Sequence, residues 1–249
     1  MAYLVFYTLN RIYEGILSVL LSKNQQFKVL DLFCKAGGAS YGMFWTLPKS
    51  IHITGVDNEI QNNYPFNFIK ADYREIDLSR YNFIWASPPC QIHSKITPKN
   101  YKQFHIDLIP DVRNRLINSG IDYCIENVPG STLKPTLKLH GGMFGEKIKK
   151  LRYFETSFFI LNPGEMKSIN FPLSIAGPDE KKYRLDWMTI DESRNAVPPI
   201  YSYYILSSYF EQKFCNRYSW LKDKKDCNIN SPDEAKNLCN NEHRLNQKL

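Results

Sequence analysis

Residues 29–43 read VLDLFCKAGGASYGM. An apolar run over 29–32 ends at a turn of small residues that contains Gly37 and Gly38, and the text beyond the turn is compatible with a helix. In an open α/β sheet, the turn between the carboxyl end of a strand and the following helix is where a cofactor settles, because backbone N–H groups there lack intrahelical partners. Gly37 and Gly38 permit close backbone approach, while Asp31 and Phe33 flank the turn. Two glycines in such a turn are common, so the stretch decides a fold class before it decides a chemistry.

Outward from this turn the same rhythm repeats. Short β-branched and aromatic runs closed by Gly, Pro or Asp alternate with helix-length segments, the pattern of an α/β fold. Strands are predicted over 28–32, 52–56, 66–70, 81–86 and 123–126, and a helix over 107–119 closed by Gly120. Residues 191–196 open a short helix, and Pro198-Pro199 interrupts before an aromatic helix through Tyr209. Between them, Pro163, Gly164, Pro172, Gly177 and Pro178 punctuate a loop region, and beyond Phe210 Lys, Asn, Asp and Cys predict a weakly ordered tail.

At 249 residues with 43% hydrophobic content, the chain can bury one sizeable α/β core and is too short for two full domains plus a large insertion. Lys and Arg number 32 against 25 Asp and Glu, a formal charge of +7 that suits a polyanionic partner as well as a merely basic soluble protein. The six cysteines are scattered, which favours a reducing compartment over a disulfide scaffold. Cys215, Cys227 and Cys239 recur evenly, with His243 four residues on, but the spacing matches no compact zinc pattern, so free thiols and no metal are expected. Near the start, Leu9, Ile12, Ile16, Val19 and Leu20 recur at helical spacing, while Arg11 and Glu14 interrupt the apolar run before it reaches the ~20 residues that span a bilayer. An amphipathic helix and no membrane span are predicted there.

Four of the five predicted strands end at residues that look chemical. In GVDNE (55–59), Asp57 follows the glycine turn by roughly twenty residues, the place where an acid takes ribose hydroxyls. Asp72, in KADY (70–73), can receive an adenine amino group, although each acid taken alone reads better as a loop cap. The segment IWASPPCQIHS (84–94) is more specific: Cys90 sits after two prolines on a loop with few backbone options, and thiolate is the strongest side-chain nucleophile. A buried core cysteine would instead lie inside the apolar run. In CIENVPG (124–130), Glu126 ends another strand, and a carboxyl group beside a pyrimidine can bind ring nitrogen 3 and the exocyclic amino group. Drawing electrons to that edge makes carbon 6 electrophilic, so the thiol and the acid explain each other.

Together, LFCKAGG, SPPCQ, IENVPG, KLRYFET and NAVPPIYSYYI resemble, in this order, the DNA cytosine carbon-5 methyltransferases. The resemblance covers residues 28–210, and MFG, LRYFET, DWMT and VPPIYSYYI look especially like the short, often phage-encoded members. It implies a Rossmann-like class I methyltransferase fold, a mixed, mostly parallel sheet of about seven strands with helices on both faces. It also implies S-adenosylmethionine as cofactor, bound by Asp31, Phe33, Gly37, Gly38, Asp57, Asp72, Pro88 and Asn195. Cys90 is then the nucleophile, Glu126 the acid and Arg152 a positioning residue, with Ser87, Pro89, Gln91, Ser94, Asn127 and Val128 around the substrate.

On this reading the chain divides into an N-terminal helix (1–26), a cofactor-binding catalytic domain (27–160), a reduced recognition region (161–187), a return segment completing the catalytic domain (188–210) and a polar tail (211–249). The implied partner is DNA with a flipped cytosine, and a monomer in the cytoplasm is expected. With so short an interval between Thr156 and Ser193, Lys149, Lys150, Lys167, Lys181, Lys182 and Arg184 are candidates for phosphate contacts, which give affinity without sequence information. Three departures stand out. Lys35 occupies the first glycine position of the family's turn, Arg152 is followed by Tyr153 and Phe154 where two alternating arginines are common, and Arg194 replaces a glycine before Asn195. Lys35 is tolerable there if its stem points to solvent with the ammonium free or near a phosphate. An RNA (transfer RNA) cytosine methyltransferase, an enzyme acting on free cytosine nucleotides and a non-catalytic nucleic-acid-binding relative are the alternatives.

Overall fold

A computed structural model describes residues 26–47, 50–93, 98–145, 150–164 and 185–217. The predicted N-terminal helix, Ser94, Lys149 and residues 165–184 lie outside the described residues. The chain divides into two compact units, Met1–Tyr209 and Phe210–Leu249, and the described part of the second is the end of one helix.

Among the described residues, seven strands form one sheet: β1 (Phe27–Leu32), β2 (Ile51–Asp57), β3 (Asn67–Lys70), β4 (Phe83–Ala86), β5 (Asp122–Asn127), β6 (Leu137–Leu139) and β7 (Arg152–Thr156). Their order is β3-β2-β1-β4-β5-β7-β6. The first five run parallel, and β7 runs antiparallel between β5 and β6. Strands buried on both faces read as continuous apolar runs, which is why Val29, Leu30, Leu32, Phe83, Ile84, Trp85 and Ala86 announce β1 and β4 in the sequence. The strand order reverses between β1 and β4, so a crevice opens at their carboxyl ends, the switch point at which such sheets bind ligands.

Helices cover both faces, as expected. After the glycine turn comes α1 (Gly38–Phe44), and after the loop that carries Cys90 a single turn, α2 (Lys99–Lys102). Then α3 (Ile109–Ser119) begins with a proline in its first turn and ends on Gly120 in the left-handed conformation at φ 67°. Ile109, Val112 and Leu116 of α3 recur every three to four residues and pack with Leu30, Leu32, Ile84, Ala86 and Ile125 on one sheet face. On the other face lies α5 (Pro199–Arg217), preceded by the short α4 (Ile190–Asn195). Tyr209 of α5 stacks 5.1 Å from Phe83, and Tyr201 lies 6.1 Å from Phe154, centroid to centroid. Helix α1 shares this face, where Ser202 Oγ of α5 donates to the Ala39 carbonyl at 2.7 Å.

Two features differ from the sequence expectation. Strands β6 and β7 were not among the five predicted, because a three-residue strand carries almost no periodicity and β7 is defined by its partners on either side. Helix α5 runs on to Arg217, where a polar tail was predicted from residue 211. Glu211, Gln212 and Lys213 are good helix formers, and extending an existing helix needs no new nucleus.

Candidate active site

The turn after β1 is built from alternating left-handed residues: Phe33 at φ 61°, Lys35 at φ 45° and Gly37 at φ 86°. For residues with a side chain this conformation is unfavourable and has to be held by its surroundings. The Phe33 ring rests on Tyr73 at 4.9 Å, and the Cys34 N–H donates to the Val56 carbonyl at 3.1 Å. Lys35 is held at both ends. Its N–H donates to Asp57 Oδ2 at 3.2 Å, and its ammonium lies 3.6 Å from Glu59 and 4.0 Å from Asp57. The exposed ammonium is therefore turned towards the acidic end of β2.

Three carboxylates line this side. Asp31 is fully buried, with Ser40 Oγ donating to it at 2.5 Å and Tyr64 sharing the Ser40 hydroxyl at 2.7 Å. Burial pushes its pKa up to about 7; the Ser40 hydrogen bond opposes this, and the Asp57 charge adds to it. Asp57, at the end of β2, also accepts the Glu59 N–H at 3.2 Å. Asp72 caps a 3₁₀ turn by accepting the Arg74 N–H at 2.9 Å and pairs with the Arg74 guanidinium at 3.2 Å, so it is both a loop cap and a cavity wall.

Across the crevice, β4 ends at Ala86 and the chain enters Ser87-Pro88-Pro89-Cys90. The prolines restrict this loop, and Asn127 pins it: its amide donates to the Pro88 carbonyl at 2.9 Å while its own carbonyl oxygen accepts the Val128 N–H. Glu126, at the end of β5, is buried, and the Arg152 guanidinium lies 2.9 Å from its carboxyl group. Burial raises the Glu126 pKa, opposed by the Arg152 charge and a hydrogen bond from Ser87. Burial and the Glu126 charge likewise raise that of Cys90, while Arg152 and Lys150 lower it. The site thus presents a thiol and a buried carboxyl group in one crevice, a pair able to add a nucleophile and hydrogen-bond an electron sink together.

Both halves open into one cavity of about 810 Å³. Asp31, Phe33, Gly38, Asp57, Asp72 and Asn195 line one side; Ser87, Pro88, Pro89, Cys90, Gln91, Glu126, Val128 and Arg152 line the other. Two expected site residues do not line it. Gly37 is the N-cap of α1, where an added Cβ would press on Pro65 and Tyr64, and Asn127 is committed to the Pro88 carbonyl. Trp187 docks on the glycine turn, its indole donating to the Ala36 carbonyl at 2.9 Å, and Glu192 of the return segment accepts from Asn63, beyond β2, at 2.9 Å.

Lys150 is a residue whose place the sequence reading missed. It stands two positions before Arg152, the spacing of same-side neighbours in extended chain, so a second cation is present where one anchor looked absent. Its ammonium donates to the Arg194 and Ala196 carbonyls, each at 2.6 Å. Arg194, in place of a glycine, pairs with Asp191 at 3.3 Å. Among the described residues, no three or more His, Cys, Asp or Glu are placed to hold a metal, and no helix is long and apolar enough to cross a membrane. Cys34, Cys90 and Cys124 carry free thiols.

No family profile and no curated protein sequence matches the chain. Solved methyltransferase structures do match its fold. An RNA methyltransferase from Salinibacter ruber in complex with S-adenosyl-L-homocysteine is 11% identical over 57% of this chain and 88% of its own, with a TM-score of 0.34. The plantazolicin methyltransferase BpumL is 15% identical over 49% of this chain and 48% of its own, with a TM-score of 0.29. The N-terminal domain of human METTL16 is 12% identical over 46% and 52%, also at 0.29. The chain spans about half the length of BpumL. The sheet, five parallel strands extended by an antiparallel β7 inserted before β6, has the Rossmann-like class I methyltransferase arrangement.

Proposed function

We propose that this chain is an S-adenosylmethionine-dependent methyltransferase that modifies carbon 5 of cytosine in DNA through a covalent adduct to Cys90. The observation that carries the reading is the single cavity in which Cys90, Glu126 and Arg152 face a second wall of Asp31, Asp57 and Asp72. Three carboxylates and a loop thiol could each be structural alone; in one cavity they divide into a cofactor half and a base half. The sequence resemblance supplies the reaction class.

The cofactor half fits its ligand by chemistry. S-adenosylmethionine is cationic and rich in hydroxyl and amino donors, and the residues that meet it are acceptors: Asp57 for the ribose, Asp72 for the adenine edge, and Asp31 and Asn195 for the remaining polar groups. When bound, it supplies an electrophilic methyl group on sulfonium.

Cytosine carbon 5 is a poor nucleophile. Glu126, fixed by Arg152, hydrogen-bonds ring nitrogen 3 and the exocyclic amino group, drawing electrons from carbon 6. The Cys90 sulfur adds to carbon 6, and the ring becomes an enamine whose carbon 5 is nucleophilic. Once carbon 5 is methylated, loss of its proton and expulsion of Cys90 restore aromaticity. In a duplex the base must first leave the stack, at a cost of a few kcal/mol. With so little chain between Thr156 and Ser193, and a basic chain that favours phosphate contacts, short or relaxed sequence specificity is expected.

Bisulfite sequencing of DNA from cells expressing the chain, beside Cys90→Ser, tests the proposal. Methylated cytosines are expected with the parent and a loss of at least about 10³-fold with the serine variant, because a neutral hydroxyl adds poorly to carbon 6. Oligonucleotides carrying 5-fluorocytosine trap the adduct on the parent alone, since fluorine does not leave as a proton does. Methylated transfer RNA or free deoxycytidylate with unmodified DNA would move the substrate to that class. Retained activity in the serine variant would sink the covalent route.

A further inference from the structure

Lys150 is a half-buried cation that the proposed chemistry leaves without a part. It lies just before β7, two residues from Arg152, and its ammonium donates 2.6 Å hydrogen bonds to the carbonyls of Arg194 and Ala196. These carbonyls bracket Asn195, which lines the cavity, and they close the C-terminal end of α4, where orphan carbonyls concentrate negative potential. The main chain of Lys150 is fixed as well, its carbonyl accepting the Tyr201 hydroxyl at 2.7 Å. One residue therefore ties the start of β7 to both the return segment and α5.

We propose that Lys150 is a positioning residue: its ammonium seats the Asn195 segment against the cofactor half of the cavity while standing as a second fixed positive charge, with Arg152, beside Glu126 and Cys90. The inference rests on the methyltransferase reading and adds to it a physical link between the two halves. Taking an ammonium out of water is costly unless it is paired, and the two carbonyls provide that pairing.

The charged groups that face Lys150 are Arg152 from β7, Glu126 from β5 and Cys90 from the loop after β4. Burial and, after it, the Arg152 charge lower the Lys150 pKa to about 8, against the opposing influence of Glu126 and Cys90. The ammonium is consequently charged at neutral pH and lost as the pH rises through about 8. The tether weakens over that window, and its influence on the Cys90 thiol weakens with it.

The test compares the parent with Lys150→Arg, which keeps a charge that does not titrate in this range, and Lys150→Met, which keeps the stem and loses the donors. S-adenosylmethionine is titrated calorimetrically at about pH 7 and about pH 9, and Cys90 alkylation by iodoacetamide is followed by mass mapping across the same range. At neutral pH, Lys150→Met is expected to bind S-adenosylmethionine about tenfold more weakly, the scale of a lost charged hydrogen bond, and to need a pH roughly half a unit higher for the same alkylation rate. Lys150→Arg stays near the parent at neutral pH and overtakes it at alkaline pH. Taking the ratio of parent to Lys150→Arg removes the effect of other titrating groups, Asp31 included. A Lys150→Met protein with the parent's affinity and alkylation profile would overturn the proposal. So would a Lys150→Arg protein as weak as Lys150→Met, or a parent-to-arginine ratio that does not change with pH. The parent-to-arginine comparison decides the matter even if circular dichroism shows Lys150→Met to be unfolded. Neither measurement uses nucleic acid. A parent that binds the cofactor but leaves DNA unmodified removes the DNA substrate and leaves Lys150 standing, whereas a parent that does not bind the cofactor removes the methyltransferase reading itself.

Discussion

Lys35 and Asp31 show how single residues set the character of the cofactor half. Lys35 holds a left-handed backbone at φ 45° and lays its ammonium beside Asp57 and Glu59. Asp57 is the acid proposed to take the ribose hydroxyls, so in the free protein the lysine competes for it. Lys35→Gly removes the competitor and a backbone conformation that costs a side-chain-bearing residue roughly 1 kcal/mol, partly offset by the larger entropy of a glycine in the unfolded chain. Calorimetric titration with S-adenosylmethionine is expected to show binding equal to or tighter than the parent's; a clear loss would make Lys35 a cofactor ligand. For Asp31 the pKa, pushed up to about 7, stands above the unfolded value near 4. The native state then holds a proton that the unfolded state releases, so stability is fully present below pH ~4 and falls as the pH rises towards 7, by up to about 4 kcal/mol. Thermal unfolding of the parent and Asp31→Asn between about pH 5 and pH 8 should diverge, the parent losing stability while the asparagine variant loses less. Parallel curves would mean that Asp31 is ionised throughout.

Among the elements, the contact between α1 and α5 carries the crevice, because α1 begins at the glycine turn and α5 follows the segment holding Asn195. Gly42 makes that contact possible: a Cβ there would overlap the Ser202 hydroxyl and the Pro199 carbonyl, the latter backbone that cannot simply rotate away. Alanine is ordinarily worth about 1 kcal/mol over glycine in a helix, so propensity alone predicts that Gly42→Ala stabilises. Packing predicts the reverse, a net loss of roughly 1–3 kcal/mol, because overlap in a close-packed interior forces the helices apart. A lower unfolding temperature, with weaker cofactor binding, is the expected outcome; a rise would show that α1 and α5 are less tightly apposed. The strands teach a related lesson. Helix α3 and strands β1, β2, β4 and β5 are legible from local apolar patterning, whereas β7 becomes a strand because β5 and β6 offer it unpaired edges on both sides.

For the molecule as a whole, a formal charge of +7 and a small interval for base recognition mean that phosphate contacts dominate the proposed binding of DNA. With three or more such contacts, affinity falls more than roughly tenfold between about 50 and 200 mM salt, and similarly for different sequences. Fluorescence anisotropy with duplexes of unrelated sequence checks both expectations; a salt-insensitive affinity would point to a small nucleotide as substrate. The sequence by itself determined the α/β class and marked the small-residue turn, Cys90 and Glu126 as candidates, because each is announced within a few residues: an apolar run, a small-residue turn, two prolines before a thiol, an acid at a strand end. Only the tertiary structure decided that Lys35 turns onto Asp57, that Asn127 pins the Pro88 carbonyl instead of lining the cavity, and that the cation at 150 is spent on the carbonyls of residues 194 and 196. Those assignments join residues from about 20 to about 45 positions apart, and a polar side chain carries no local mark of which distant partner will satisfy it once water is excluded.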